Sequence, residues 1–143
     1  MDPLAKRIAT RKPAREVFGQ SLIDPRVGIR EGDVAQLIRQ DQSAFDAILL
    51  DVDNGPAGLT RKANDGLYDP AGLSAAYAAL RPGGVLAVWS SGPDPTFTRR
   101  LRKAGFGVDE VTVRATGKGG GARHVIWIAT RAERGRQPGK SRR

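Results

Sequence analysis

Two Asp-Pro steps, Asp69-Pro70 and Asp94-Pro95, do most to limit what this chain can fold into. An aspartate can cap the free amides of a helix start, and proline is pre-organised for the first helical position. Behind the first step, Leu73, Ala76, Tyr77 and Leu80 recur at helical spacing, which predicts a helix from Asp69-Pro70 to about Leu80. Behind the second, a basic stretch predicts a helix that ends before Gly105. Each helix start follows an apolar run: residues 45–51 (FDAILLD) and 85–89 (VLAVW). Runs without polar alternation are expected to be buried on both faces, as in parallel sheets.

The rest of the chain extends this alternation. Val27-Gly28-Ile29-Arg30-Glu31 alternates and predicts a short strand. Gly32-Asp33 turns the chain, with Asp33 as N-cap of a helix carrying Val34, Leu37 and Ile38. Pro82-Gly83-Gly84 predicts a turn. Residues 108–113 and 124–130 predict two strands joined by the Gly117–Gly121 turn, an antiparallel hairpin. Leu4 to Phe18 is expected to begin as a helix that Pro13 breaks. The order β-α-β-α-β-α-β-β implies an α/β domain: a mostly parallel sheet with helices on both faces and a C-terminal antiparallel hairpin. The expected organisation is a basic, partly helical segment over 1–23, a domain over 24–131, and a basic tail over 132–143 without apolar residues to order it.

At 143 residues the chain can bury one core. It has no cysteine, which excludes disulfides, thiolate metal sites and cysteine nucleophiles. No apolar stretch approaches the ~20 residues of a membrane helix, and residues 1–15 lack a signal-peptide core, so a cytoplasmic protein is expected. The net charge is +9, concentrated in Lys6–Arg15, Arg99–Lys103 and Arg131–Arg143. Basic ends are solvated faces more often than binding sites, so specific nucleic-acid recognition is not expected.

From Asp24 to about Thr130 the motifs resemble those of spermidine synthases, the polyamine aminopropyltransferases, whose fold is Rossmann-like and class I methyltransferase-like. Asp24-Pro25-Arg26-Val27 followed by Gly32-Asp33 is similar to their DPRV…GD segment. The run 45–51 is similar to their YDvIiiD strand, and Asn54-Gly55-Pro56-Ala57-Gly58-Leu59 to their DPxGPAxxL loop. Asp65-Gly66-Leu67-Tyr68 sits at their LF/LY step. Leu80-Arg81-Pro82-Gly83-Gly84-Val85-Leu86 matches LkpGGvl, which class I methyltransferases share widely.

The resemblance implies an activity: transfer of an aminopropyl group from decarboxylated S-adenosylmethionine to a polyamine amine. It implies no prosthetic group and no metal, with decarboxylated S-adenosylmethionine or S-adenosylmethionine as co-substrate. Gly32, Asp33 and Val34 would bind the adenine edge, Asp51 would be the catalytic acidic residue, and Asp53 would hold the amine. Local chemistry supplies plainer roles: a helix cap for Asp33, solvated strand-end carboxylates for Asp51 and Asp53. His124 reads as structural, and Trp89 and Trp127 as core or near-core.

The chain also departs from the family. Residues 1–23 match neither the Gly-rich loop after the family's first strand nor the acidic residue that ends its second. The small N-terminal β-domain has no counterpart, and residues 115–121 replace a Tyr-Pro-rich segment. The expectation is a truncated transferase with impaired activity. The alternatives are a methyltransferase-like protein completed by a partner chain, and a non-enzymatic basic binding module. The strand at 47–51 should present an open sheet edge. It would be covered by a shifted 27–31 strand, by N-terminal residues, or by a homodimer or missing-half partner; in an isolated chain the shifted strand is expected.

Overall fold

A computed structural model describes residues 6–9, 24–51, 66–114, 121 and 123–134. The chain forms two compact units, Met1–Leu37 and Ile38–Arg143.

In the first unit, β1 (Lys6–Ala9) pairs in parallel with β2 (Val27–Arg30) as a two-stranded sheet of its own. The helix expected from Leu4 is therefore a strand over 6–9. The expectation that residues 27–31 shift to pair with the 47–51 strand is also corrected, because β2 belongs to the two-stranded sheet with β1 and, among the described residues, β3 pairs with β4 alone. Helix α1 (Val34–Arg39) follows, and the division at Leu37/Ile38 falls within its sequence.

The second unit is built on a four-stranded sheet of β3 (Phe45–Leu50), β4 (Leu80–Ser90), β5 (Gly107–Arg114) and β6 (Arg123–Thr130), in the order β3-β4-β6-β5. β3 and β4 are parallel, and β6 is antiparallel to both β4 and β5. Three strands thus share one direction, and the last two form the expected hairpin.

Helix α2 (Pro70–Ala79) joins β3 to β4, and α3 (Pro95–Lys103) joins β4 to β5. Both starts are capped as the sequence predicts: Asp69 accepts from Gly72 N at 2.6 Å and Asp94 from Phe97 N at 3.0 Å, with proline next in each case. Gly72 is required here, since a Cβ would lie 2.2 Å from the Gly66 carbonyl oxygen. The two crossovers step the same way across the sheet, so right-handedness puts both helices on one face.

That face is the core. Leu86, Val88, Trp127 and Ala129 are fully buried on it, against Leu73, Phe97 and Leu101 of the helices. Phe97 meets Trp127 edge-on at 4.8 Å, and Tyr68 meets Phe97 at 5.7 Å. The Trp127 indole N–H donates to Thr98 Oγ1 at 2.9 Å and to Glu110 Oε1 at 3.3 Å, and the Thr98 hydroxyl also donates to Glu110. The polar tip of the largest buried side chain is thereby satisfied.

The opposite face differs from expectation. Ala47 and Leu49 of β3 point away from α2 and α3, and Leu49 is 76% exposed, so β3 is not buried on both faces. Across the same face, Val85, Ala87, Trp89, Ile126 and Ile128 are only half-buried. Among the described residues, β3 pairs with β4 alone, which leaves its outer edge open.

The turn expected at Pro82-Gly83-Gly84 is a bulge inside β4. Phe45 pairs with Leu80 and Ala47 with Val85, so residues 81–84 oppose Asp46 alone. Gly83 adopts a left-handed φ of 80°, and its N–H donates to Arg131 O at 2.9 Å. Arg81 closes the bulge with an ion pair to Asp46 at 3.0 Å. No described helix is long and apolar enough to cross a membrane.

Candidate functional site

In an open α/β sheet, ligands meet the carboxyl ends of the parallel strands, where loops are free to carry chemistry. Here that edge is formed by the ends of β3 and β4. Asp51 is the residue after β3 and is exposed. Leu50 pairs with Val88, so Asp51 lies one step past that rung, level with Trp89. At the end of β4, Ser90 is buried and holds the following turn: its hydroxyl donates to Gly92 O at 3.0 Å and accepts from Gly92 N at 3.4 Å. Asp94 caps α3 directly afterwards.

Trp89 is a near-core residue. It is half-buried on the face away from the helices and stacks on His124 at 4.7 Å and 29°. Trp127, by contrast, is fully buried. The structural role expected of His124 is this stack, and its Nδ1 is buried without a hydrogen-bond partner among the described residues. An aromatic pair beside a strand-end carboxylate is a feature the sequence did not reveal, because it depends on the β4–β6 register that sets Trp89 opposite Ile126.

Asp33 lies in the first unit, and Asp51 in the second. Asp33 Oδ1 accepts from Ala35 N at 2.8 Å, and its carbonyl accepts from Leu37 N at 3.1 Å. It is a helix cap, the plainer of its two roles. Gly32 and Val34 flank it, with Val34 as the first residue of α1. Asp53 and the Asn54–Leu59 loop lie outside the described residues. The same holds for the Gly117–Gly121 turn except Gly121. No cluster of three or more metal-ligating side chains occurs among the described residues.

No protein-family model matches the chain, and no curated protein matches it. Solved structures do. A spermidine synthase from Thermotoga maritima superposes with a TM-score of 0.61 at 19% identity, covering 88% of this chain and 44% of its own. An O-methyltransferase family protein from Burkholderia thailandensis gives 0.59 at 19% identity, covering 90% and 44%. The fold is class I methyltransferase-like. A 1,6-didemethyltoxoflavin-N1-methyltransferase from the same organism, solved with S-adenosylhomocysteine, gives 0.63 at 16% identity, covering 89% and 61%. This chain therefore spans about half the length of the class I structures it resembles. The identities carry the fold and not the activity.

Proposed function

We propose that the chain is a spermidine synthase-like transferase domain whose own affinity for an S-adenosyl donor is impaired. The observation that supports it is the position of Asp51: an exposed carboxylate at the carboxyl end of β3, in a class I fold, where the spermidine synthase motif has its acidic residue. In aminopropyl transfer the amine nitrogen attacks the carbon next to the sulfonium. The carbon–sulfur bond breaks and its electron pair returns to sulfur, leaving a neutral thioether. The attacking nitrogen must lose a proton, and a carboxylate at this edge is placed to take it. The chemistry otherwise needs alignment.

β1 supports the impairment. This strand runs parallel to β2 and leads into Thr10-Arg11-Lys12, which offers no carboxylate for ribose hydroxyls. Calorimetry with decarboxylated S-adenosylmethionine and with S-adenosylmethionine tests this reading. Weak or absent binding is expected. Micromolar binding by the chain alone, lost in Asp33→Ala, would overturn it. A second reading, a methyltransferase-like domain completed by another polypeptide, is favoured by the open outer edge of β3.

A further inference from the structure

We propose that the carboxyl edge takes an organic ligand with a single ammonium and an apolar body, held by Asp51 and the ring face of Trp89. The inference rests on the transferase reading for calling this ligand the acceptor; the contacts themselves need no donor. Leu50 and Val88 share a rung, and both are buried on the helix side. One residue on, Asp51 and Trp89 therefore share the opposite face, on strands about 4.8 Å apart. His124 lies on that face too, because its neighbour Val125 is buried on the helix side. It stacks on Trp89 with ring centroids 4.7 Å apart. In the order β3-β4-β6, His124 and Asp51 flank Trp89 from opposite sides. The ring face that His124 leaves is thus the one on the Asp51 side. Indole presents the strongest π-surface for a cation, and the adjacent carboxylate adds the opposite charge.

The distribution of charge points the same way. The chain carries a net charge of +9. Yet between the β4 bulge and the carboxyl edge, the described residues on this face supply the carboxylates of Asp51 and Asp109 and no lysine or arginine. Arg81, in the bulge itself, is already paired with Asp46. Such a face is complementary to a cation and offers an anion no partner. It also limits the ligand to one charge. Asp109 pairs with Ile128, three strands from Asp51 and two residues back, so it lies roughly 16 Å away by strand spacing and rise. Nearer to Asp51 along the face are Leu49, Ala87 and Ile126. A second ammonium laid against these side chains would lose water without gaining a counter-charge, whereas an alkyl body would gain from the contact.

The test titrates the full chain with three probes of equal length, heptylamine, heptan-1-ol and 1,6-diaminohexane, with no S-adenosyl compound present. Calorimetry reads affinity. Tryptophan fluorescence reads the site, because Trp127 is fully buried and Trp89 is only half-buried. Heptylamine should bind roughly 5-fold more tightly than either analogue. Asp51→Asn should abolish its advantage over the alcohol and leave the alcohol's affinity unchanged. Trp89→Leu should weaken heptylamine by roughly 5-fold, and Trp89→Phe by less. Asp51 is exposed and follows the strand, so its variant keeps the test sound even if Trp89→Leu does not fold. Equal affinity for heptylamine and heptan-1-ol would overturn the proposal, as would no measurable heptylamine binding. Tighter binding of 1,6-diaminohexane would overturn it in favour of a polyamine site. Donor calorimetry is a separate measurement: micromolar S-adenosyl binding would sink the impaired-donor reading and leave the ammonium site standing, and absent amine binding would do the reverse.

Discussion

Arg131, the residue after β6, ties the end of that strand to α2, and replacing it should be costly for a half-buried arginine. Its Nη1 donates to Tyr77 O at 3.0 Å, to Ala78 O at 3.4 Å and to Leu80 O, so it closes the carbonyls at the end of α2. No basic residue in the last turn of α2 could do so. The guanidinium also lies 4.9 Å over the Tyr77 ring. A charge-assisted hydrogen bond contributes about 1.5–3 kcal/mol, the helix-end charge about 0.3–1 and the ring contact about 0.5–1. These do not add, because one group makes them all and water reaches the half-exposed site. The expectation for Arg131→Met is a loss of about 2 kcal/mol. For a unit of this size that is roughly 6–10 °C in melting temperature. Chemical denaturation followed by circular dichroism reads both. Arg131→Lys should fall between, keeping charge but not the planar fork. Deletion from Glu133, which leaves Arg131 in place, should cost no more than ~0.5 kcal/mol. Arg131→Met within ~0.5 kcal/mol of the parent chain would refute the reasoning, since the carbonyls of α2 would then be equally well served by water.

Asp69→Ala and Asp94→Ala should each destabilise the second unit by about 1 kcal/mol in the same assay, as each removes a cap that accepts an amide within the first turn. The open edge of β3 should show in solution: light scattering is expected to report association at high concentration, reduced by Leu49→Lys. A strict monomer with rapid hydrogen exchange at Ile48–Leu50 would mean that the edge is simply solvated.

What was legible in the sequence is what local chemistry determines. The Asp-Pro caps place α2 and α3, and the alternation of apolar runs with helical spacing gives the order of elements in the second unit. Asp51 could be placed at a strand end because the apolar run stops there. The misses have a different origin. β1 reads Lys-Arg-Ile-Ala, a basic tetrapeptide ahead of Pro13, and nothing local marks it as a strand; its pairing with β2 decides. The apolar run of β3 looked buried on both sides because composition does not say which faces are covered, and Leu49 stands 76% exposed. Pro82-Gly83-Gly84 carries turn chemistry, but the chain stays in the sheet because Gly83 and Gly84 bond to Arg131, far away in sequence.

The hairpin register was the least legible feature, and it matters most for the carboxyl edge. β5 has no buried side chain, so its apolar pattern specifies the register only weakly. The polar network does it instead. Glu110 is directly opposite Trp127, on the face where Thr98 of α3 reaches both. A slip of one residue would turn Glu110 to the other face, taking the acceptor from the Thr98 hydroxyl and leaving the fully buried Trp127 N–H to Thr98 alone. The same slip would separate Arg114 from Arg123. The polar network on the Glu110–Trp127 rung thus fixes which charges meet four residues further along β5, and the Arg114–Arg123 rung is held in register from the core side of the sheet.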